Sequence, residues 1–460
     1  MRDMIDRILD YASSRSSYAE VRFTETESSG ANIRNGEFTG ATTAVDSGYM
    51  IRVLNKSIGI AYTNSDSFDD IKKSVDIALR SSAREGKHSL NTDSFGKESW
   101  SARALKKPSD VSIEEKVSLL KDIDSLMESL GCGVRINSLS DSTTAEIYMN
   151  SNGSRIEGTY SRVALFYMFG ILESSNFEQS TGEYGSTAGY EYLDSLNLEE
   201  IISDEAKVLR KAISAHGVTP GKMDVVVGPE ISGIVAHESA GHPMEYDRII
   251  GREAALAGES FLTGKDVPFR VGSEVISVID DPTIEGSYGH YRYDDEGVRS
   301  RRRYLYRHGL TDEFIHNRES AENLGVKPNG GGRSSSWDVE PLPRMSTTFI
   351  EPGDYSFDEL IEDVNDGIYI KSYTEWNIDD VRFNEKYVGK EAYLIKNGRL
   401  GDIVRRPTIE TNTINFYSSV DASGKDLKFF AGNCGKGDPE QAVPVWMGGP
   451  HIRLRGLYIR

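Results

Sequence analysis

Apolar residues recur along this chain with two periods, and the change from one to the other marks its organisation. Met4, Ile5, Ile8, Leu9 and Ala12 fall at helical spacing and predict an amphipathic first helix. Residues 19–24 alternate as a strand. Strands over 48–53 and 58–63 follow, joined by a hairpin-like turn at Asn55 and Lys56. Phe68, Ile71, Val75, Ile77, Ala78 and Leu79 then predict a helix over 68–82, with Ser67 as its N-cap. Residues 86–107 are polar and irregular and read as a long surface loop. The order then returns: a helix over 112–130, strands over 134–139, 144–150 and 163–172, and a helix over 197–214. Asn152-Gly153 is a hairpin turn within it, and residues 174–190, rich in Gly, Ser, Glu and Tyr, read as a surface loop. Helix, strands, helix thus occurs twice before residue 216, the pattern of a weak internal duplication.

Residues 215–221 mark a boundary, and the texture changes beyond them. Strands are predicted over 275–280, 302–306, 347–350, 368–373, 392–396, 412–417 and 452–458, many separated by Gly and Pro turns. Short helices are expected over 317–324 and 357–364. The fold class is therefore α+β. Residues 1–220 are expected as an α/β half with helices on a mixed sheet, and 221–460 as a strand-rich, sandwich or barrel-like half.

Composition narrows the class further. The chain has 460 residues, 38% of them hydrophobic, enough for sizeable cores and against wholesale disorder. Fifty-three basic and 72 acidic residues leave a net charge of -19, which opposes a broad phosphate-backbone interface. Direct nucleic-acid binding is not expected. No run of 18 apolar residues occurs, and the first helix carries charges throughout, so neither a membrane span nor a signal peptide is expected. Two cysteines, Cys132 and Cys434, exclude a disulfide framework and fit a reducing cytoplasm. Cys132 reads as a small buried residue.

The chemistry concentrates where the texture changes. A buried-strand pattern over 223–227 runs into Gly228 and Pro229, then into a short helix with Ile231, Ile234 and Val235 on its apolar face. On it stand His237, Glu238 and His242, two histidines bracketing a carboxylate, which suggests a metal with a built-in base. Their i, i+5 spacing is awkward. On a regular helix it separates the side chains by roughly 140° and about 7.5 Å of rise, too far for both rings to reach one ion. Regularity must therefore break before His242. Gly241 supplies freedom and Pro243 disfavours helical geometry at the residue before it. Either a π-bulge lies within residues 239–241, or the helix ends there and His242 swings back. Two histidines also leave a catalytic metal short of a ligand. Glu245, Asp247 and Glu253 are near candidates; Cys434, in the Gly-flanked turn over 432–437 with Lys436 beside it to favour thiolate, is a distant one.

These residues resemble a known family. His237-Glu238-Ser239-Ala240-Gly241-His242 with Glu245 and Asp247 is similar to the signature of the TldD/PmbA metalloproteases. The likeness continues through Asp280-Asp281-Pro282-Thr283, Tyr293-Asp294-Asp295-Glu296-Gly297, Pro343-Arg344-Met345 and Pro352-Gly353. It runs on through residues 391–398 to Cys434-Gly435-Lys436 and Val443-Pro444-Val445. The resemblance implies Zn2+ on His237, His242 and Cys434, and a TldD-type, metal-bearing subunit. It also implies pairing with a TldE/PmbA-type sister that lacks the motif, and cleavage of peptides and unfolded polypeptides. A homodimer is the other assembly expected. General zinc chemistry then makes Glu238 the base that takes a proton from water and returns it to the leaving amine. Tyr288, His290 and Tyr293 are candidates for stabilising the oxyanion. A non-proteolytic reading, modulation of another macromolecule such as DNA gyrase, has been proposed for this family, but it needs no HExxxH.

The remaining features have plainer expectations. Arg299, Arg301, Arg302, Arg303 and Arg307 read as a solvated strand face. Asp280, Asp281, Asp294, Asp295 and Glu296 are expected to cap turns or orient histidines. Residues 330–333 read as a mobile loop, with a lid near the site as a further possibility.

Overall fold

The computed structural model describes residues 2–173, 175–252 and 258–460. It has the expected α+β class, with a strand-rich C-terminal half. In the N-terminal half, β1 (Tyr18–Arg34), β2 (Glu37–Leu54), β3 (Ile58–Thr63), β4 (Lys97–Ser101), β5 (Val134–Asn150), β6 (Arg155–Glu173) and β7 (Asn176–Ser186) make one sheet. Its order is β3-β2-β1-β5-β6-β4, with β7 also on β6. Helices α1 (Arg2–Ser13) and α2 (Phe68–Ser82) bury Ile5, Ile8, Ile71 and Val75 against β1 to β3. After α3 (Ile113–Ser129) and the short α4 (Glu191–Asp194) comes α5 (Leu198–Ile213). Leu120, Ile123, Ile202 and Leu209 of α3 and α5 fill the core over β5 and β6.

Capping sets the start of α3. Ser112 Oγ accepts the Glu115 N–H at 3.2 Å, and the Glu115 carboxylate accepts the Ser112 N–H at 2.8 Å. Ser112→Ala is expected to cost about 1 kcal/mol, read as a lower urea midpoint at unchanged slope. Ser67, at the N-cap of α2, makes no side-chain cap bond, so Ser67→Ala should cost less.

Four expectations are corrected here. The loop expected over 86–107 holds β4, which runs parallel to β6. The loop expected over 174–190 holds β7, along β6; Ser174 itself lies outside the described residues. β7 lacks aliphatic alternation because its inward positions are polar: Glu178 pairs with Arg405 at 2.9 Å, and Ser180 donates to Glu205 at 3.0 Å. The strand expected over 412–417 is a helix, Thr413–Ser418, whose cap is Asn412 accepting from Asn415 N–H at 2.9 Å. Its buried Thr413, Phe416 and Tyr417 fall at helical spacing. Residues 330–333 form no mobile lid. They are buried, and Arg333 donates to the carbonyls of Met345 and Pro444 at 2.5 and 2.9 Å.

The C-terminal half starts with β8 (Gly221–Val227), which feeds α6 (Pro229–Ala236). There follow β9 (Val278–Asp280), β10 (Arg303–Arg307), β11 (Leu310–Thr311) and the ribbon of β12 (Gly332–Arg333) with β13 (Leu342–Pro343). Next come β14 (Thr347–Ile350), β15 (Asp366–Ile378), β16 (Asn384–Lys396), β17 (Arg399–Ile403) and β18 (Thr408–Asn412). The last are β19 (Val420–Ser423), β20 (Lys428–Lys436), β21 (Gln441–Gly449) and β22 (Ile452–Ile459). Strands β15, β8, β22, β18 and β16 pair in that order, and β16 pairs back to β15, closing a barrel. A second sheet runs β11-β10-β9-β14-β21-β20. Helix α6 packs between the two, against β15 on one side and β14, β20 and β21 on the other. Its Ile231, Ile234, Val235 and Ala236 are buried in the principal core of this half.

Buried charges join the halves. Arg52 of β2 reaches Glu20 of β1 at 2.5 Å and Glu296 of the C-terminal half at 2.6 Å. Asp294 accepts the N–H groups of Glu296, Val298 and Gly332, the turn-capping role expected of it. Arg303 departs from the expected solvated face: it is buried and paired with Asp280 at 2.6 Å, while Arg299, Arg301, Arg302 and Arg307 are exposed.

Candidate metal centre

The hydrogen-bond pattern of α6 changes at its end. His237–Gly241 form one π-helical turn, in which the His242 N–H donates to the His237 carbonyl, and His242–Met244 continue as a 3-10 turn. A π turn stacks residues five apart. The interval that an α-helix forbids therefore puts both rings on one face, with centroids 5.0 Å apart and planes at 83°. Local chemistry favours the switch. Pro243 has no N–H to donate to the Ser239 carbonyl, and the Tyr306 hydroxyl donates to it instead at 2.8 Å. At Gly241 a Cβ would sit 1.7 Å from Met345 Sδ, so only glycine fits.

Cys434 arrives on β20, opposite Val443 of β21, and not in the expected turn. Arg344 secures that strand by donating to the Cys434 carbonyl and, at 2.8 Å, to that of Gln441. Cys434 Sγ lies 3.4 Å from His242 Nε2. One ligand atom from each of His237, His242 and Cys434 lies within 4.8 Å of the other two, and all three residues are buried. His237 Nδ1 is buried without a hydrogen-bond partner among the described residues. Two imidazoles and a thiol, with an orphaned ring nitrogen, fit a borderline-soft metal ion such as zinc.

The electrostatics agree with that fit. Burial lowers the pKa of His237 and of His242. Burial alone would raise the Cys434 thiol, but the His242 ring and the Arg344 guanidinium outweigh it and bring it down to about 7. Lys436, expected to favour the thiolate, instead bonds Asp247 at 2.7 Å, the Pro343 carbonyl at 2.9 Å and Glu245 at 3.2 Å. Burial acts to raise Glu245 as well, yet Lys436 and His242 hold it well below the usual carboxylate range. Its Oε2 lies 3.0 Å from His242 Nδ1 and accepts from Arg248 Nε at 2.8 Å. Glu245 thereby orients the His242 ring so that Nε2 faces Cys434. Of the near third-ligand candidates, Glu245 and Asp247 are thus engaged with Lys436, and Glu253 lies outside the described residues.

Three family profiles match the chain: PmbA/TldA metallopeptidase domain 1 over residues 19–82, the central domain over 106–215 and the C-terminal domain over 220–460. The chain belongs to the PmbA/TldD metallopeptidase family. It is 32% identical over 458 residues to a metalloprotease of Methanothermobacter thermautotrophicus, covering 99% of this chain and 98% of that one. It is 26% identical over 427 residues to a zinc metalloprotease TldD homologue of Saccharolobus solfataricus, covering 90% of each. Among solved structures, a candidate modulator of a DNA gyrase from Thermotoga maritima has TM-score 0.80 at 20% identity, covering 100% of both chains. TldE of Thermococcus kodakarensis has TM-score 0.75 at 17% identity, covering 99% of both. At those identities the structures speak for the fold alone.

In this PmbA/TldD chain, Glu238 Oε2 lies 4.0 Å from His242 Nε2 and 2.6 Å from Arg382 Nη1. Arg382 escaped sequence reasoning; it stands 144 residues downstream with no motif around it. The residues expected to stabilise an oxyanion are engaged elsewhere. Tyr293 donates to Glu98 at 2.6 Å, and His290 Nδ1 lies 2.8 Å from the Pro282 carbonyl. Tyr288 and Tyr293 line a groove of about 450 Å³ between the halves, with Asn433, Ala442 and Pro444. Asn433 and Cys434 are adjacent on one strand and so point to opposite faces. The groove therefore lies behind the β20–β21 hairpin from the metal centre.

Glu385 is a second residue outside the motif. Ser239, next to Glu238, donates its hydroxyl to Glu385, as does Tyr387 at 3.1 Å. Burial raises this carboxyl from 4.5 to about 7, against those bonds and with Glu238 adding repulsion. A carboxyl raised on folding contributes stability that is complete below pH 4.5 and is lost as pH rises through 7. The loss is at most roughly 3 kcal/mol. Glu385→Gln should therefore flatten the fall of the melting temperature between pH 5 and pH 8 to a measurable degree. An unchanged pH slope in the variant would refute this assignment.

Proposed function

We propose that this chain is the metal-bearing subunit of a zinc peptidase that hydrolyses peptide bonds in peptides or unfolded polypeptides. One observation carries the reading: the π turn brings His237 and His242 together, and β20 brings Cys434 to within 4.8 Å of both. Those three residues would hold Zn2+, with Glu238 beside them as general base. When bound, the ion supplies Lewis acidity and a water that ionises near neutral pH. Glu238 accepts that water's proton and later hands it to the leaving nitrogen. Glu245 keeps the His242 ring in register, and Arg344 holds the strand carrying Cys434. The name of the Saccharolobus relative, a zinc metalloprotease, supports zinc, and the family profiles support proteolysis.

The expected partner is a TldE/PmbA-type sister subunit, with a homodimer as the other assembly; the TldE fold likeness is compatible with the first. Residues 1–220 and 221–460 are proposed as the two structural units, and the cytoplasm, where a thiolate ligand stays reduced, as the compartment. No described helix is long and apolar enough to cross a membrane. The reading as a modulator of DNA gyrase gains nothing from a likeness at 20% identity. The test is metal analysis of the purified chain together with cleavage of oxidised insulin B chain, with and without the sister subunit. Stoichiometric zinc and cleavage abolished by a chelator are expected. A metal-free protein that cleaves equally well would sink the reading.

A further inference from the structure

Resting on that peptidase reading, we propose that Arg382 is a catalytic residue whose guanidinium stabilises the negative charge developing on the scissile carbonyl oxygen. The site's polar groups form a chain of neighbours leading outward from the buried ligands. Cys434 Sγ is 3.4 Å from His242 Nε2, which is 4.0 Å from Glu238 Oε2, which is 2.6 Å from Arg382 Nη1. Side-chain exposure rises along it, from 3% at His242 through 5% at Glu238 to 13% at Arg382. A carbonyl approaching Glu238 from solvent therefore meets Arg382.

Three other cations around the centre are sealed. Arg248, Arg344 and Lys436 have side chains 1%, 0% and 0% exposed, and each bonds groups that position the ligands. Arg382 Nε is buried and makes no hydrogen bond among the described residues.

The backbone is built to hold this side chain in place. Arg382 has φ +62°, a left-handed conformation unfavourable for a residue with a Cβ. It is kept there by bonds on every side: its N–H donates to the Asp379 carbonyl at 3.0 Å, and the Phe383 N–H donates to the Asp379 carboxylate at 2.7 Å. Thr413 Oγ1 donates to the Arg382 carbonyl at 3.0 Å. Strain retained by surrounding structure clusters where geometry serves chemistry.

The pairing with Glu238 gives the cation a reason to move when it is needed. As the water oxygen bonds the carbonyl carbon, the C=O pair shifts onto the oxygen and the water's proton passes to Glu238. Glu238 becomes neutral and loosens its hold on Arg382 as the oxygen becomes negative. The guanidinium then donates to that oxygen. Collapse re-forms C=O, breaks the C–N bond and moves the proton from Glu238 to the leaving nitrogen. Glu238 is again an anion, and Arg382 returns to it.

The test compares wild type, Arg382→Ala and Arg382→Lys, each loaded with zinc, on one peptide from insulin B chain prepared with a free and an amidated C-terminus. Arg382→Ala should lower kcat by about 10²–10³-fold on both forms, the cost of one oxyanion donor, with KM within about threefold. Arg382→Lys should recover about tenfold of the loss. Zinc content should stay at the wild-type value and the variants should remain folded. By calorimetry, a phosphinic analogue of the peptide should bind the Ala variant more weakly by the factor lost in kcat/KM. An unchanged kcat overturns the role. So does a loss confined to KM of the free-acid peptide, which would make Arg382 an anchor for a terminal carboxylate, and so does a loss of zinc. If the wild type cleaves neither form with or without a sister subunit, the peptidase reading fails and the role of Arg382 falls with it.

Discussion

Glu238→Gln is expected to lower peptide cleavage by about 10²–10⁴-fold while zinc stays bound and the fold stays intact. Glutamine has nearly the same volume, so the buried site is not repacked. Its carbonyl oxygen still accepts from Arg382, which donates to Glu238 Oε2 at 2.6 Å. The three proposed ligands, His237, His242 and Cys434, are untouched. What disappears is basicity: an amide cannot take a proton from water at neutral pH or return one to an amine. The measurement is kcat/KM on oxidised insulin B chain, with zinc content and melting temperature recorded on the same preparation. Cleavage at the parental rate would remove Glu238 from the chemistry. Loss of zinc along with activity would instead make it part of the metal's shell.

Cys434→Ala is expected to lower zinc affinity by more than about 100-fold, because even partners beyond the ligands are worth 10–100-fold. Activity should fall with the metal. The strand itself should survive, since Arg344 holds it through the Cys434 carbonyl and not through the thiol. Cys132→Ala provides the contrast. That cysteine is also buried, but it packs in the N-terminal core among residues such as Leu120 and Met127, so its loss should leave zinc untouched. Titration against a chromophoric chelator reads both variants. Equal zinc affinity in Cys434→Ala and wild type would remove the thiol from the ligand set and reopen the choice of third ligand.

How much was legible depended on whether an element buries apolar side chains. Helices α1, α2, α3 and α5 have regular apolar stripes, and the predicted limits of α2, α3 and α5 lie within a residue or two of the observed ones. β3 matches its prediction end to end. The outer part of β2, from Glu37 to Ser47, is polar and largely exposed, so no alternation announces a strand; pairing with β1 makes it one. β7 is hidden for the opposite reason, its inward residues being polar groups satisfied by long-range ion pairs and hydroxyls. The helix over Thr413–Ser418 read as a strand because Ile, Phe and Tyr favour either state locally, and the Asn412 cap and buried contacts decide between them.

At the centre, the sequence by itself singled out Glu238, the proposed proton acceptor, and the two histidines, and required that the helix break between them. Pro243 and Gly241 carry that requirement locally, through a missing N–H and a missing Cβ. Tertiary structure alone decided that the break is a π turn. The freed Ser239 carbonyl needs a donor, and Tyr306, 67 residues away, supplies it. Tertiary structure also decided that Cys434 sits on a strand, that Glu245 aligns His242, and that Arg382 faces Glu238. Each of these is a contact between distant segments in a buried setting. There an unpaired polar group is costly, and the three-dimensional arrangement settles which partner satisfies it.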